Sequence, residues 1–107
     1  MFNKDDMFVV IYKILYYIYH CNKNGYDVSK VNHNVLNINE RYYNNIVEEI
    51  ESKKYIDRLY RESQNEEKEL NKNVKITSDG VLFLETNEHM KKIGEMLKDR
   101  KELEWWL

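Results

Sequence analysis

The sequence predicts a mostly helical α+β fold, and three observations lead to that class. The chain has 107 residues, which fits one domain spanning residues 1–107. It contains no Pro and only three Gly, so few residues interrupt helices. Apolar residues recur at helical spacing along most of the chain, whereas the stretch after residue 54 is rich in Tyr and Ile and has the pattern of a strand.

Composition and charge exclude several classes of protein. Hydrophobic residues make up 42% of the chain and aromatic residues 13%, which is too much for a wholly disordered protein. The single Cys, Cys21, excludes an intramolecular disulfide framework and a Cys-based zinc cluster. The formal net charge of -2 argues against a protein that coats nucleic acid by charge alone, but it allows a local basic patch.

The longest apolar run, residues 7–21, does not predict a membrane span. It contains Lys13 and is shorter than the ~20 residues that a span needs. Residues 1–6 carry Lys4 against Asp5 and Asp6, and no small-residue cleavage site follows, so a secretory signal is not indicated. We expect a cytoplasmic protein with no membrane partner.

A first helix is predicted from the start of this run to Asn24-Gly25, where Gly tolerates the left-handed conformation of a helix end. Asp5 or Asp6 can cap its start. One face carries Phe8, Ile11, Tyr12, Leu15, Ile18 and Tyr19, and the opposite face carries Val10, Ile14, Tyr17 and Cys21. A helix that is apolar on two sides is either central to the fold or shared between a core and a partner.

A short second helix is predicted over residues 26–36, with Asp27 or Ser29 as its cap. Its apolar residues at helical spacing are Val28, Val31, Val35 and Leu36. Residues 37–39 form a brief turn.

The third helix has the clearest pattern. Asn39 is a good cap, Glu40 lies in the first turn, and the helix should end near Lys53-Lys54. Its inward stripe is Tyr43, Ile46, Val47 and Ile50. Its opposite face carries Arg41, Asn45, Glu48 and Ser52, flanked by Asn44.

The pattern then changes to that of a β-hairpin over about residues 55–77. Residues 55–62 and 74–77 are strand-like, and the polar stretch 63–73 between them is longer than usual for a hairpin loop.

Helical spacing resumes in a C-terminal segment, about residues 78–107, with Thr77 or Ser78 as its cap. The first inward residues are Val81, Leu82, Phe83 and Leu84. Asn87 can cap a further helix whose inward residues are Met90, Ile93 and Leu97, with a side stripe of Met96, Leu103 and Leu107. Because Trp105 and Trp106 would be costly to leave in water, we expect them to fold back on the first helix or to join a second chain in a homodimer.

This order of elements is that of a winged helix-turn-helix with a two-stranded wing and an additional C-terminal helix. Other small α+β folds share the order.

Three stretches resemble the YjcQ-type winged-helix family of phages and other mobile elements. They are residues 12–15 (YKIL), 48–56 (EEIESKKYI) and 76–87 (ITSDGVLFLETN), and the resemblance extends over roughly residues 7–95. In size and architecture the chain is also similar to TcpK, a winged-helix accessory protein of clostridial conjugative relaxosomes. The resemblance implies a winged-helix fold from a plasmid or phage, and it assigns no binding residues.

The third helix carries the first set of candidate DNA-binding residues, Arg41, Asn44 and Asn45. Arg pairs bidentately with guanine and Asn with adenine in the major groove, and the N-terminal half of a recognition helix usually meets the bases. Glu48, Glu49 and Glu51 would repel phosphates, so only the first half could enter a groove. The alternative is an ordinary solvated helix face.

The hairpin carries the second set of candidates, Arg58, Arg61, Lys68 and Lys72. Basic and acidic residues balance over residues 55–77. Lys68 and Lys72 near the tip could reach a minor groove or the phosphates. The alternative is a solvated loop of mixed charge.

Nothing in the sequence indicates catalysis. His20, His33 and His89 are too scattered for a local metal motif, and the chain has neither a Gly-rich phosphate loop nor a nucleophile elbow. We therefore expect no enzymatic activity, no cofactor and no metal.

The sequence as a whole predicts a sequence-specific, double-stranded-DNA-binding protein of a mobile element that acts as a homodimer, with other proteins of a nucleoprotein complex as further candidate partners. Transcription regulation and a conjugation role at an origin of transfer both fit. The alternative is a protein-interaction adaptor that uses the Tyr-rich first helix and the Trp-containing C-terminus.

Overall fold

The computed structural model describes residues 6–28, 31–57 and 74–99. These ranges form five helices and one two-stranded antiparallel sheet, so the predicted mostly helical α+β class is confirmed. In chain order the elements are α1 (Met7–Asn24), α2 (His33–Leu36), α3 (Glu40–Ser52), β1 (Ile56–Asp57), β2 (Lys75–Ile76), α4 (Ser78–Thr86) and α5 (Glu88–Asp99).

Helix α1 is the centre of the fold. It begins where the Asp6 carboxylate accepts the backbone N–H of Phe8 (2.9 Å), and it ends at Gly25 with a φ of 72°. Both predicted apolar stripes are largely buried, because α3, α4, α5 and β2 all pack against this helix. Phe8 is the exception: its side chain is 45% exposed, since it lies at the open first turn, where its ring meets His89 edge-on.

The predicted second helix is wrong over most of its length. Among the described residues of this range, which exclude 29 and 30, only His33–Leu36 is helical. Asn32 is its cap, with its side chain accepting the N–H of Val35 (3.0 Å). Val28 and Val31 are buried as predicted, but they reach the core from non-helical backbone. Val35 is 46% exposed, so the helical spacing of the valines does not report one helix face.

The prediction for α3 is confirmed at both ends. The Asn39 side chain accepts the N–H of Tyr42 (2.8 Å), and Lys53 is the last capping residue. The inward stripe is fully buried, from Tyr43 to Ile50.

Strands β1 and β2 pair in the register Ile56↔Ile76 and Asp57↔Lys75. The N–H of Thr77 extends the ladder by donating to the carbonyl of Tyr55 (2.9 Å). Residues 58–62 of the predicted first strand and the predicted loop 63–73 lie outside the described residues.

The caps of α4 and α5 are among those predicted. Thr77 Oγ1 accepts the N–H of Gly80 (3.1 Å), and Asn87 Oδ1 accepts the N–H groups of His89 and Met90. Leu82 was expected inside but is 55% exposed, because it lies on the outer side of the helix from buried Leu84. The buried residues of α5 are, as predicted, Met90, Ile93 and Leu97. Leu103, Trp105, Trp106 and Leu107 lie outside the described residues.

No helix in the described part of the chain is both long enough and apolar enough to cross a membrane.

Candidate nucleic-acid interface

The first half of α3 presents polar side chains to solvent. Arg41 and Asn45 are exposed, and Asn44 beside them is half-buried. The reason is local: Tyr43, Ile46 and their stripe bury one side of the helix against α1, which turns the opposite side outward. The sequence prediction for these three positions is consistent with this geometry, with Asn44 the least accessible.

A tight turn fixes how α3 begins. Only residues 37–39 separate α2 from α3, and Asn37 has a φ of 58°, the left-handed conformation that Asn tolerates. Ile38 is half-buried in the turn, and its carbonyl lies 3.3 Å from His33 Nδ1. This contact gives His33 a structural role in the turn.

The second half of α3 is acidic. Glu48 is exposed, and Glu49 and Glu51 are half-buried. Glu49 approaches Lys53 at 4.0 Å, a solvent-facing pair of small energetic value. Within α3 itself, a polyanion would therefore meet favourable side chains in the first half, around Arg41 and Asn45, and exposed Lys53 and Lys54 follow the end of the helix.

The β1–β2 pair follows α3 directly. The N–H of Tyr55 donates to the carbonyl of Ile50 (3.2 Å), which ties the start of β1 to the end of α3. Lys75 on β2 is exposed. The predicted contact residues Arg58, Arg61, Lys68 and Lys72 lie outside the described residues.

Asn22, which no sequence pattern singles out, joins this strand pair to α1. Its Nδ2 donates to the carbonyl of Val74 (3.1 Å), and its Oδ1 accepts the N–H of Ile76 (2.8 Å). An Asn near the end of a helix carries no local signal for partners 52 and 54 residues away.

A cleft of about 310 Å³ lies at the other end of α1, between the starts of α1 and β1 and the end of α3. Exposed Met7 and Phe8 form one wall, and the stacked rings of Tyr55 and Phe83, with centroids 4.6 Å apart, lie on another. The cleft therefore presents apolar side chains beside the end of α3.

The described residues hold no group of three or more His, Cys, Asp or Glu that could bind a metal ion. Cys21 is buried beside the carbonyl of Asp27. Burial raises the pKa of Tyr12 above its ordinary 10.0, and neighbouring Tyr16 adds to the shift.

The geometry thus defines a mostly helical α+β domain whose third helix carries exposed Arg and Asn next to a small antiparallel sheet. The chain belongs to the YjcQ family: the family model described as "YjcQ protein" matches residues 12–103. Comparison with curated proteins and with solved structures found no match.

Proposed function

We propose that this protein binds double-stranded DNA with sequence specificity, as a winged helix-turn-helix protein of a mobile genetic element. Helix α3 enters the major groove with Arg41 and Asn45, and the hairpin contacts the adjacent minor groove or backbone. The observation that carries the proposal is the exposure of these two side chains on the first half of a helix whose opposite side is fully buried.

The chemistry of the two side chains supports a role in base recognition. The Arg41 guanidinium can donate to O6 and N7 of guanine, and an Asn amide such as that of Asn45 can pair with N6 and N7 of adenine. They are four residues apart on a helix, so they lie on the same side, about one turn from each other. Half-buried Asn44 is suited to a contact at the edge of this surface.

The surrounding elements fit the proposal. A three-residue turn between α2 and α3 has the length found in helix-turn-helix motifs, and an antiparallel strand pair directly after α3 is where a wing begins. The predicted contacts Arg58, Arg61, Lys68 and Lys72 belong to the segment between these strands. In an A-tract minor groove, a single basic side chain from that segment meets a concentrated negative potential.

The resemblance to winged-helix proteins of phages and plasmids suggests two biological roles. One is transcription regulation, and the other is an accessory role in a relaxosome at an origin of transfer, as in TcpK. Both roles need specific double-stranded DNA binding, and we propose no catalytic step for either.

Substitution of Arg41 tests the proposal. Arg41→Ala should weaken binding to the preferred site by ~1–3 kcal/mol and relax the base preference at one position. Lys91→Ala is the matched control, because it removes one exposed positive charge from a different helix, α5. Equal affinity and equal preference in Arg41→Ala and the wild type would overturn the proposed role of α3.

A homodimer would place two α3 helices on paired half-sites. The proposed dimer contact involves the C-terminal Trp residues, so light scattering should give a lower mass for a chain truncated before Lys101. If the full-length and the truncated chain both have the mass of a monomer, the dimer is excluded.

A second candidate is a protein-interaction adaptor, and the apolar cleft at Met7 and Phe8 favours it. Burial of Tyr12 and Tyr17 in the core removes two of the aromatic rings that such an adaptor would have offered on α1. Two results together would favour the first candidate over the second: Phe8→Ser leaves DNA binding unchanged, and Arg41→Ala weakens it.

A further inference from the structure

Strand β2 has one edge paired with β1 and one edge facing α1. The ladder bond from Thr77 N–H to the Tyr55 carbonyl shows that residues 55 and 77 form a hydrogen-bonded pair. With the register Ile56↔Ile76, residues 56 and 76 then form a non-hydrogen-bonded pair. The N–H of Ile76 and the carbonyl of Val74 therefore point away from β1, toward the outer edge.

Asn22 occupies that outer edge. Its side-chain amide accepts the N–H of Ile76 at 2.8 Å and donates to the carbonyl of Val74 at 3.1 Å. A single residue of a parallel third strand would make the same two contacts, accepting the N–H of Ile76 with its C=O and donating its N–H to the carbonyl of Val74. The fixed roles of the two backbone groups also settle which amide atom is oxygen and which is nitrogen.

Asn22 is suited to this task by its place on α1. It follows Cys21, which is buried in the core, while Asn22 is itself at the surface. Its side chain therefore adds little to core packing, but its backbone is held by the most buried helix of the fold. The hydrogen bonds transmit that fixed position to β2, and the β1–β2 ladder and the Tyr55–Ile50 bond connect it to α3.

We propose that Asn22 is the positioning residue of the DNA-binding hairpin: it fixes the direction of the β1–β2 pair relative to α3 and closes the strand edge against a further strand. The proposal rests on the proposed function. Asn is suited to this position because it supplies one donor and one acceptor on a short stem, whereas the Asp carboxylate offers acceptors alone and would face the Val74 carbonyl unfavourably.

The first arm of the test measures amide hydrogen exchange by NMR in the full chain. Asn22→Leu keeps a similar shape and removes both hydrogen bonds, so exchange at Ile76 should become at least tenfold faster. Asn22→Asp keeps the acceptor for Ile76 and should show a smaller acceleration. Asn24→Leu is the matched control, because the Asn24 side chain donates to the carbonyl of His20 within α1 (2.8 Å).

The second arm measures affinity for the preferred DNA fragment. Asn22→Leu should weaken binding severalfold at a temperature where circular dichroism shows the variant to be folded. Its effect should be non-additive with that of Lys75→Ala, on the positioned strand, and additive with that of Arg41→Ala. If Asn22 only stabilised the fold, Asn22→Leu would lower the stability of the protein, and its effect on DNA affinity would combine in the same way with Lys75→Ala and with Arg41→Ala.

The two arms separate the possible failures. Unchanged exchange at Ile76 in Asn22→Leu would overturn the edge contact in solution. Faster exchange with unchanged DNA affinity would overturn the positioning role. If the wild type binds no DNA fragment, the proposed function fails and the positioning of a DNA-binding hairpin fails with it, while the exchange arm still decides whether Asn22 closes the edge.

Discussion

Gly80 is the point where α4 approaches the strand pair most closely, and Gly80→Ala should destabilise the protein. A Cβ at this position would collide with the backbone carbonyl of Tyr55 and would lie 2.7 Å from Ile76 Cγ1, 0.7 Å short of the 3.4 Å at which ordinary contact begins. The Tyr55 carbonyl cannot move freely, because it accepts the N–H of Thr77 in the ladder (2.9 Å). The substitution must therefore push α4 away from β1 or break the ladder.

Two opposing terms set the size of the effect. Replacing Gly by Ala inside a helix gains about 1 kcal/mol of intrinsic helix stability. Overpacking of a site that cannot relax costs about 3 kcal/mol, the upper part of the usual range. The free energy of unfolding should thus fall by about 2 kcal/mol, which for a domain of this size lowers Tm by roughly 8 °C.

Thermal denaturation followed by circular dichroism measures the shift, and Glu85→Ala is the control. Glu85 is exposed on the same helix as Gly80. We therefore expect Glu85→Ala to change the free energy of unfolding by less than about 0.5 kcal/mol. A Tm for Gly80→Ala equal to or above that of the wild type would refute the close approach.

Three further predictions concern stability. Asn39→Ala removes the cap of α3 and should lower the free energy of unfolding, measured by chemical denaturation, by about 1 kcal/mol. A decrease no larger than that in Ser52→Ala, at an exposed position, would contradict the capping role. Ile46→Ala should lower the free energy of unfolding by about 3 kcal/mol, because the side chain is only 1% exposed between α3 and α1. An unchanged denaturation midpoint would contradict that burial. The raised pKa of Tyr12 means that the folded state resists ionisation of this hydroxyl. The free energy of unfolding should therefore fall as pH rises above the ordinary pKa of 10.0, and the fall should be shallower in Tyr12→Phe.

The helices that the sequence predicts best are those whose ends and faces depend on neighbouring residues. Asp6, Asn39 and Thr77 cap their helices with groups two or three residues away, and the stripe around Ile46 repeats at helical spacing. Both signals act within one or two turns, so they are visible without knowledge of the fold.

The features that the sequence did not predict depend on packing between distant segments. Val28 and Val31 have helical spacing, yet they are buried from irregular backbone, because burial alone does not fix the local conformation. Leu82 is exposed because none of the described elements covers the outer side of α4 at that residue. Asn22 finds its partners across more than fifty residues. For the candidate interface, helical phase alone predicted the outward direction of Arg41 and Asn45.

The most direct test of DNA recognition is a fluorescence-anisotropy titration of the wild type and Arg41→Ala against a library of duplex fragments at two salt concentrations. Base recognition by α3 predicts a preferred sequence, an affinity that falls as salt rises because phosphate contacts release counterions, and a relaxed preference in Arg41→Ala. Absence of binding to every fragment, or binding that ignores both salt and sequence, would contradict it.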